Sequence, residues 1–149
     1  MNTLETIKAT GQLKITVTGS DGVVKHEQEV KNLVVTTGLG FIASRMKDAS
    51  ATAMSHMAVG TGTTAAALGQ TALVTESARV ALSSTTVTAN ATAYTATFPA
   101  GTPATLTAIT EAGIFNASSG GTMLCRTVFA AVNKDVNDTL SITWTVTIS

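Results

Sequence analysis

Residues 139–148 read Thr-Leu-Ser-Ile-Thr-Trp-Thr-Val-Thr-Ile, an unbroken alternation with Leu140, Ile142, Trp144, Val146 and Ile148 on one parity and hydroxyl-bearing residues on the other. Side chains of a strand alternate between its faces with period two. This stretch can therefore lay its whole apolar set on a core only as a β-strand with one face buried. A helix would scatter the same residues around its circumference. Burying each of the five large side chains contributes about 1.5–3 kcal/mol before entropy is subtracted, so the strand is structural. The threonines opposite follow from β propensity, since branched side chains suit a pleated surface, and they leave that face available to a partner.

The same period recurs upstream. Leu13, Ile15 and Val17 alternate with polar residues, Gly19-Ser20-Asp21-Gly22 supplies a turn, and an extended pattern resumes over 23–35, which predicts a hairpin. After Thr36-Thr37-Gly38, the residues Leu39, Ile42, Ala43 and Met46 recur at helical spacing. The spacing predicts one short helix over 38–47, with a threonine N-cap and with Arg45 and Lys47 in its last turn. Leu39, Ile42 and Met46 are expected to face inward, so that the helix closes one end of the fold.

Residues 54–59 read as a buried strand ended by Gly60-Thr61-Gly62-Thr63-Thr64, and 65–77 suit a loop or a single helical turn. From Arg79 on, the pattern is almost wholly β, broken at Pro99-Ala100-Gly101-Thr102-Pro103. The flanks of the loop 116–121 should pair as a hairpin, and 133–138 should turn the chain into its last strand. Seven or eight strands at this spacing predict an antiparallel sandwich or barrel with the helix inserted after the second strand. At 149 residues the chain is expected to be a single domain, residues 1–149.

Composition narrows the use of that fold. Charged residues are only 12% and cancel to a net charge of zero, while 29 residues are threonine, so the polar surface is mostly hydroxyl and amide. No long-range field gathers phosphates or anionic lipid, and nucleic acid and membrane are not expected partners. A weakly charged surface lacks the self-repulsion that keeps proteins apart, which suits assembly. No secretory signal pattern opens the sequence and no apolar run nears the roughly 20 residues needed to span a bilayer, so synthesis in the cytoplasm is expected. Cys125, the single cysteine, is expected to be a buried small hydrophobe.

The search for chemistry yields structural readings. His26 and His56 lie 30 residues apart with no Cys, Asp or Glu at metal-ligand spacing. No Gly-x-Ser-x-Gly elbow is present. Gly60-Thr61-Gly62-Thr63-Thr64-Ala65 fits a dinucleotide fingerprint in form, but neither a long helix nor alternating strand-helix units surround it, so a tight turn needing glycine torsions is the better reading. Glu76 with Arg79, and Glu111 with Arg126, are expected to be ion pairs. No catalytic residue, metal site or cofactor is expected.

Several stretches taken together carry a resemblance. Asn32-Leu33-Val34-Val35-Thr36-Thr37-Gly38, Ile42-Ala43-Ser44-Arg45-Met46, Met57-Ala58-Val59-Gly60-Thr61-Gly62-Thr63-Thr64, and Thr71-Ala72-Leu73 with Glu76 and Arg79 form its first half. Glu111-Ala112-Gly113-Ile114-Phe115-Asn116, Met123-Leu124-Cys125-Arg126-Thr127 and Leu140-Ser141-Ile142-Thr143-Trp144 complete it. Over residues 30–149 the chain resembles small virion proteins of tailed bacteriophages. These include capsid decoration, or cement, proteins with jelly-roll folds, and tail-fibre and tail-adaptor relatives.

The resemblance implies a mainly β, antiparallel jelly-roll-like β-sandwich with one short inserted helix. It implies a decoration protein on the outer capsid surface of the virion that bridges and stabilises neighbouring major capsid subunits after assembly in the host cytoplasm. The major capsid protein would be the partner, and a homo-oligomer, dimer or trimer, is expected. A tail-fibre or tail-adaptor component is the alternative. A glycan-acting enzyme stands third, because it would want paired carboxylates in a cleft. Residues 1–29 match no motif of the resemblance, and residues 1–10 are expected to extend as an N-terminal arm.

Overall fold

A computed structural model of the protein describes residues 6–47 and 51–149. The described residues are mainly β, with 54% strand and 6% helix. The strands are β1 (Ala9–Thr18), β2 (Val24–Val34), β3 (His56–Gly60), β4 (Glu76–Ala81), β5 (Ser84–Thr88), β6 (Ala91–Phe98), β7 (Thr107–Phe115), β8 (Met123–Lys134) and β9 (Thr139–Ile148). One helix, α1 (Thr36–Ser44), follows β2. Among the described residues nine strands thus stand where seven or eight were expected.

All strand pairs are antiparallel, in the order β4-β3-β7-β8-β2-β1-β9-β6-β5. This single sheet curls into two layers as a β-sandwich-like fold. Layer A runs β5-β6-β9-β1-β2, and layer B runs from β2 through β8, β7 and β3 to β4. β2 belongs to both: most of its length pairs with β1, and its last residues, Leu33 and Val34, pair with Arg126 and Cys125 of β8. On the opposite side the chain passes from β4 to β5 through Leu82 and Ser83, whose N–H groups donate to Ser55 O and Thr95 O at 2.9 and 2.8 Å.

The core lies between the layers. Leu13, Ile15 and Val17 from β1 meet Ile142 and Trp144 from β9, with Phe98, Ile109, Ile114 and Leu124 around them. The terminal strand behaves as its alternation requires: Leu140, Ile142, Trp144 and Val146 are buried and Ile148 is half-buried. The Trp144 indole N–H is buried without a hydrogen-bond partner.

The helix differs from expectation at both ends and in its buried face. It begins at Thr36 with Val35 as cap residue and no side-chain cap, while the Thr37 hydroxyl donates to Met123 O at 3.0 Å. It ends at Ser44, so Arg45 is the C-cap and Lys47 lies beyond. Leu39 and Met46 are 45% and 86% exposed rather than inward. Ile42 packs against the core as expected, and it is joined there by Phe41 and Gly38. A Cβ at Gly38 would lie 1.9 Å from Leu124 O, so the helix docks by bringing backbone against β8. A side-chain period cannot register a contact made by the residue without a side chain.

Of residues 1–10, Ala9 and Thr10 belong to β1, and Lys8 exchanges backbone hydrogen bonds with Ser149 at 2.6 and 2.9 Å. Residues 8–10 are therefore held to the sheet and do not belong to an extended arm, and the expectation for residues 1–5 lies outside the described residues.

Candidate functional site

The two layers finish their outer faces in opposite ways. On layer A the ladder registers place Ser141, Thr143, Thr145 and Thr147 of β9 beside Thr97, Thr95, Ala93 and Ala91 of β6, and the last three of these beside Ser84, Thr86 and Thr88 of β5. No charge interrupts this three-stranded area, whose side chains are exposed or half-exposed. Charges appear only towards β1 and β2, where Lys14 and Glu27 lie 3.7 Å apart and the Gln12 amide donates to Glu29 at 3.2 Å. Such solvated pairs contribute little. The result is a flat surface of methyls and hydroxyls, groups that can both give and accept hydrogen bonds and that strand no charge when covered.

On layer B the outer face is covered by the chain itself. Residues 61–75 cross it as a strap, closed at its base by Thr61 N–H donating to Thr75 O at 2.9 Å. Leu73 from the strap joins Val35, Ala58, Phe115 and Met123 in a second apolar cluster. The strap is held by Glu111 of β7, which is fully buried. Its Oε1 accepts from Gly62 N–H at 3.0 Å and Thr75 N–H at 2.7 Å, and its Oε2 from Val74 N–H at 3.0 Å. The buried Arg126 guanidinium on β8 donates Nε and Nη2 to the same Oε2 at 3.0 and 2.7 Å, and its Nη1 reaches Thr64 O and Gln70 Oε1, both at 2.9 Å.

Burial alone would push the Glu111 carboxyl up. The N–H groups of Thr75 and Val74, then Arg126 and Gly62, outweigh it and hold the carboxyl below its ordinary value. This is a closed structural knot, since every oxygen lone pair that chemistry would need is already engaged.

Arg79 on β4 closes the margin of the same face. It meets Glu76 through two hydrogen bonds of 3.0 and 2.7 Å, donates to Ala117 O and Gly120 O, and lies 3.8 Å above the Phe115 ring. Both expected ion pairs, Glu76 with Arg79 and Glu111 with Arg126, are therefore present. The glycines of Gly60-Thr61-Gly62 serve a different purpose from the one expected. Neither has a left-handed φ, unlike Gly22, Gly101, Gly120 and Gly121. A Cβ at Gly60 would meet Thr75 O at 2.1 Å, and one at Gly62 would meet Glu111 Oε1 at 2.5 Å. Absence of a side chain, rather than torsional freedom, is what lets the strap reach the carboxylate.

The remaining polar groups do not converge. The His26 ring contacts Gln28 at 3.1 Å, the His56 ring contacts the Ser55 hydroxyl at 2.8 Å, and Cys125 is buried, its thiol pushed up by that burial. Among the described residues no three of His, Cys, Asp and Glu stand close enough to hold a metal ion.

At the end of the sandwich holding the 135–138 turn, Asp138 accepts both Lys25 hydrogen bonds at 3.0 Å and one from Asp135 N–H. The Lys25 hydrogen bond, followed by that N–H, holds the Asp138 carboxyl below its ordinary value. The buried Lys134 donates to Pro99 O at 3.0 Å, and burial lowers its ammonium from the usual lysine range.

At the other end, a cleft of about 280 Å³ opens between α1 and layer A, lined mainly by Phe41, Ile42, Met54, Tyr94, Val146 and Ile148. Burial pushes the Tyr94 hydroxyl up to about 12. Reading by residue type and spacing did not find the strap or the buried Lys134. The one signal for the covered face is that Glu111–Phe115 and Met123–Thr127 lack the polar-apolar alternation of β9.

Comparison of the chain with models of known protein families, with curated protein sequences and with solved structures gives no match.

Proposed function

We propose that the chain is a structural protein of a tailed-bacteriophage virion, a capsid decoration protein whose layer A face lies against neighbouring major capsid subunits. The observation that carries this reading is the uncharged hydroxyl surface of β5, β6 and β9, on a chain whose net charge is zero. It is supported by the resemblance of residues 30–149 to small phage virion proteins.

The mechanism is mass action: a protein that binds the assembled shell and not its dispersed subunits raises shell stability with occupancy. A hydroxyl face suits that task. Each threonine contributes apolar methyl area together with a hydroxyl able to pair with backbone groups, and no ion has to be desolvated.

The test is co-sedimentation of the purified protein with undecorated capsids, comparing the parent with Thr143→Glu and Thr97→Glu, whose parent residues are exposed on this face. Retained binding of the parent and loss in both variants, with unchanged melting, is the expected result. Failure of the parent to bind shells moves the reading to the tail-fibre or tail-adaptor alternative, and full occupancy by both variants removes layer A as the contact.

A further inference from the structure

The sheet has two terminal strands, and they are guarded very differently. β4 carries Glu76 and Arg79, which are engaged with each other, and Arg79 also bonds the 116–121 loop. β5 is Ser-Thr-Thr-Val-Thr, hydrogen-bonded to β6 along one side and, among the described residues, to no strand along the other. All five of its residues are exposed, and Val87 is 71% exposed. An unpaired strand edge is a template for pairing, and proteins that stay apart blunt such edges with lysine, proline, a bulge or a covering segment. β5 has no charge or proline and pairs with β6 in unbroken register.

We infer that β5 pairs edge to edge with β5 of a second copy, antiparallel about a two-fold axis at Thr86, joining the two A layers into one continuous sheet. The occupant is chosen by self-complementarity. In that register Thr86 faces Thr86, Ser84 faces Thr88 and Thr85 faces Val87. The outer pairs are therefore hydroxyl to hydroxyl and continue the surface of β6 and β9, while the inner pair sets a methyl-bearing Thr85 against the exposed valine. Two copies of a chain with zero net charge meet without repulsion, and an isologous contact of this kind closes at two subunits. Five residues a side is a small contact, below the roughly 1,200 Å² of a standard interface, so a weak and concentration-dependent dimer is expected.

This inference does not rest on the virion reading, because it concerns the protein alone in solution. The experiment is sedimentation velocity of the full chain over a concentration series. A dimer should form, and Thr86→Lys, which sets two like charges face to face, should raise its dissociation constant about tenfold or more without shifting the melting temperature. Mixing Thr86→Lys with Thr86→Glu should restore association, a result that a merely misfolded variant cannot give. Under mild oxidation Thr86→Cys should cross-link to itself, whereas Ser84→Cys, which faces Thr88 of the copy, should not. The inference is overturned by a parent that stays monomeric up to about 1 mM, a concentration at which even millimolar contacts are populated. It is equally overturned by a dimer indifferent to Thr86→Lys, or by absence of the Thr86→Cys cross-link.

Discussion

Along β9 of layer A the burial pattern alternates, with Leu140, Ile142, Trp144 and Val146 inside and their threonine neighbours outside. Along layer B, by contrast, Glu111–Phe115 of β7 and Met123–Thr127 of β8 are buried without interruption. A strand buried on both faces must have something over each. On layer B the second cover is the chain's own 61–75 strap, tied down by Glu111 and Arg126. On layer A no such cover exists among the described residues. The difference teaches that the buried charges Glu111 and Arg126 serve the internal closure of layer B, while the β5-β6-β9 part of layer A is left to hydroxyls. A site for a partner is therefore sought on the face without the charged knot.

The comparison breaks most visibly at Arg126. Replacing it with alanine leaves Glu111 buried without its cation and frees Thr64 O and Gln70. A loss of about 3–5 kcal/mol is expected, and at a few degrees per kcal/mol the thermal midpoint should fall by roughly 10 °C. A shift of only a degree or two by calorimetry would mean that the strap is an ornament on layer B and not its cover.

A smaller loss is expected from Gly62→Ala. Its Cβ would press on Glu111 Oε1 and Val74, at a cost of about 1–3 kcal/mol read from urea unfolding, whereas alanine at the open Gly69 of the same strap should not produce that loss.

Acid should act on layer B before layer A. Because the Glu111 carboxyl lies below its ordinary value of 4.5 in the folded protein, its contribution is full above that value and is lost as pH falls through the folded-state value. Hydrogen exchange at Gly62, Val74 and Thr75, the N–H groups bound to the carboxylate, should therefore accelerate below about pH 4.5 while the β9 amides stay protected. In Glu111→Gln the strap should be weaker at neutral pH and its exchange less dependent on acid. A residual acid response of global stability remains from Asp138, whose carboxyl is also lowered. Equal acceleration on both layers would contradict the assignment.

The smallest effect belongs to the open face: Thr143→Glu should change stability by no more than about 0.5 kcal/mol, since it touches neither cap nor core. A larger loss would reveal contacts over layer A that the described residues do not show.

Much of the architecture was readable along the chain because it is local. Period two assigned the inward parity of β1 and β9, and Gly19-Ser20-Asp21-Gly22 marked the first hairpin, whose Gly22 has φ +81°. The Glu111–Arg126 pair was also legible, since the two residues sit on adjacent strands of one hairpin. The helix was legible as an element, with Ile42 inward, but Leu39 and Met46 were not placed correctly, because Gly38 docks by lacking a side chain.

What the amino-acid order alone determined is therefore the β class, the inward parity of β1 and β9 and the hydroxyl composition of what is left outside. Only the tertiary structure decided which outer face stays bare. That choice depends on one carboxylate meeting N–H groups 36, 37 and 49 residues away in the chain. Contacts at such separation leave no period in the sequence: they arise when the curled sheet presents a buried charge that only the returning backbone can satisfy.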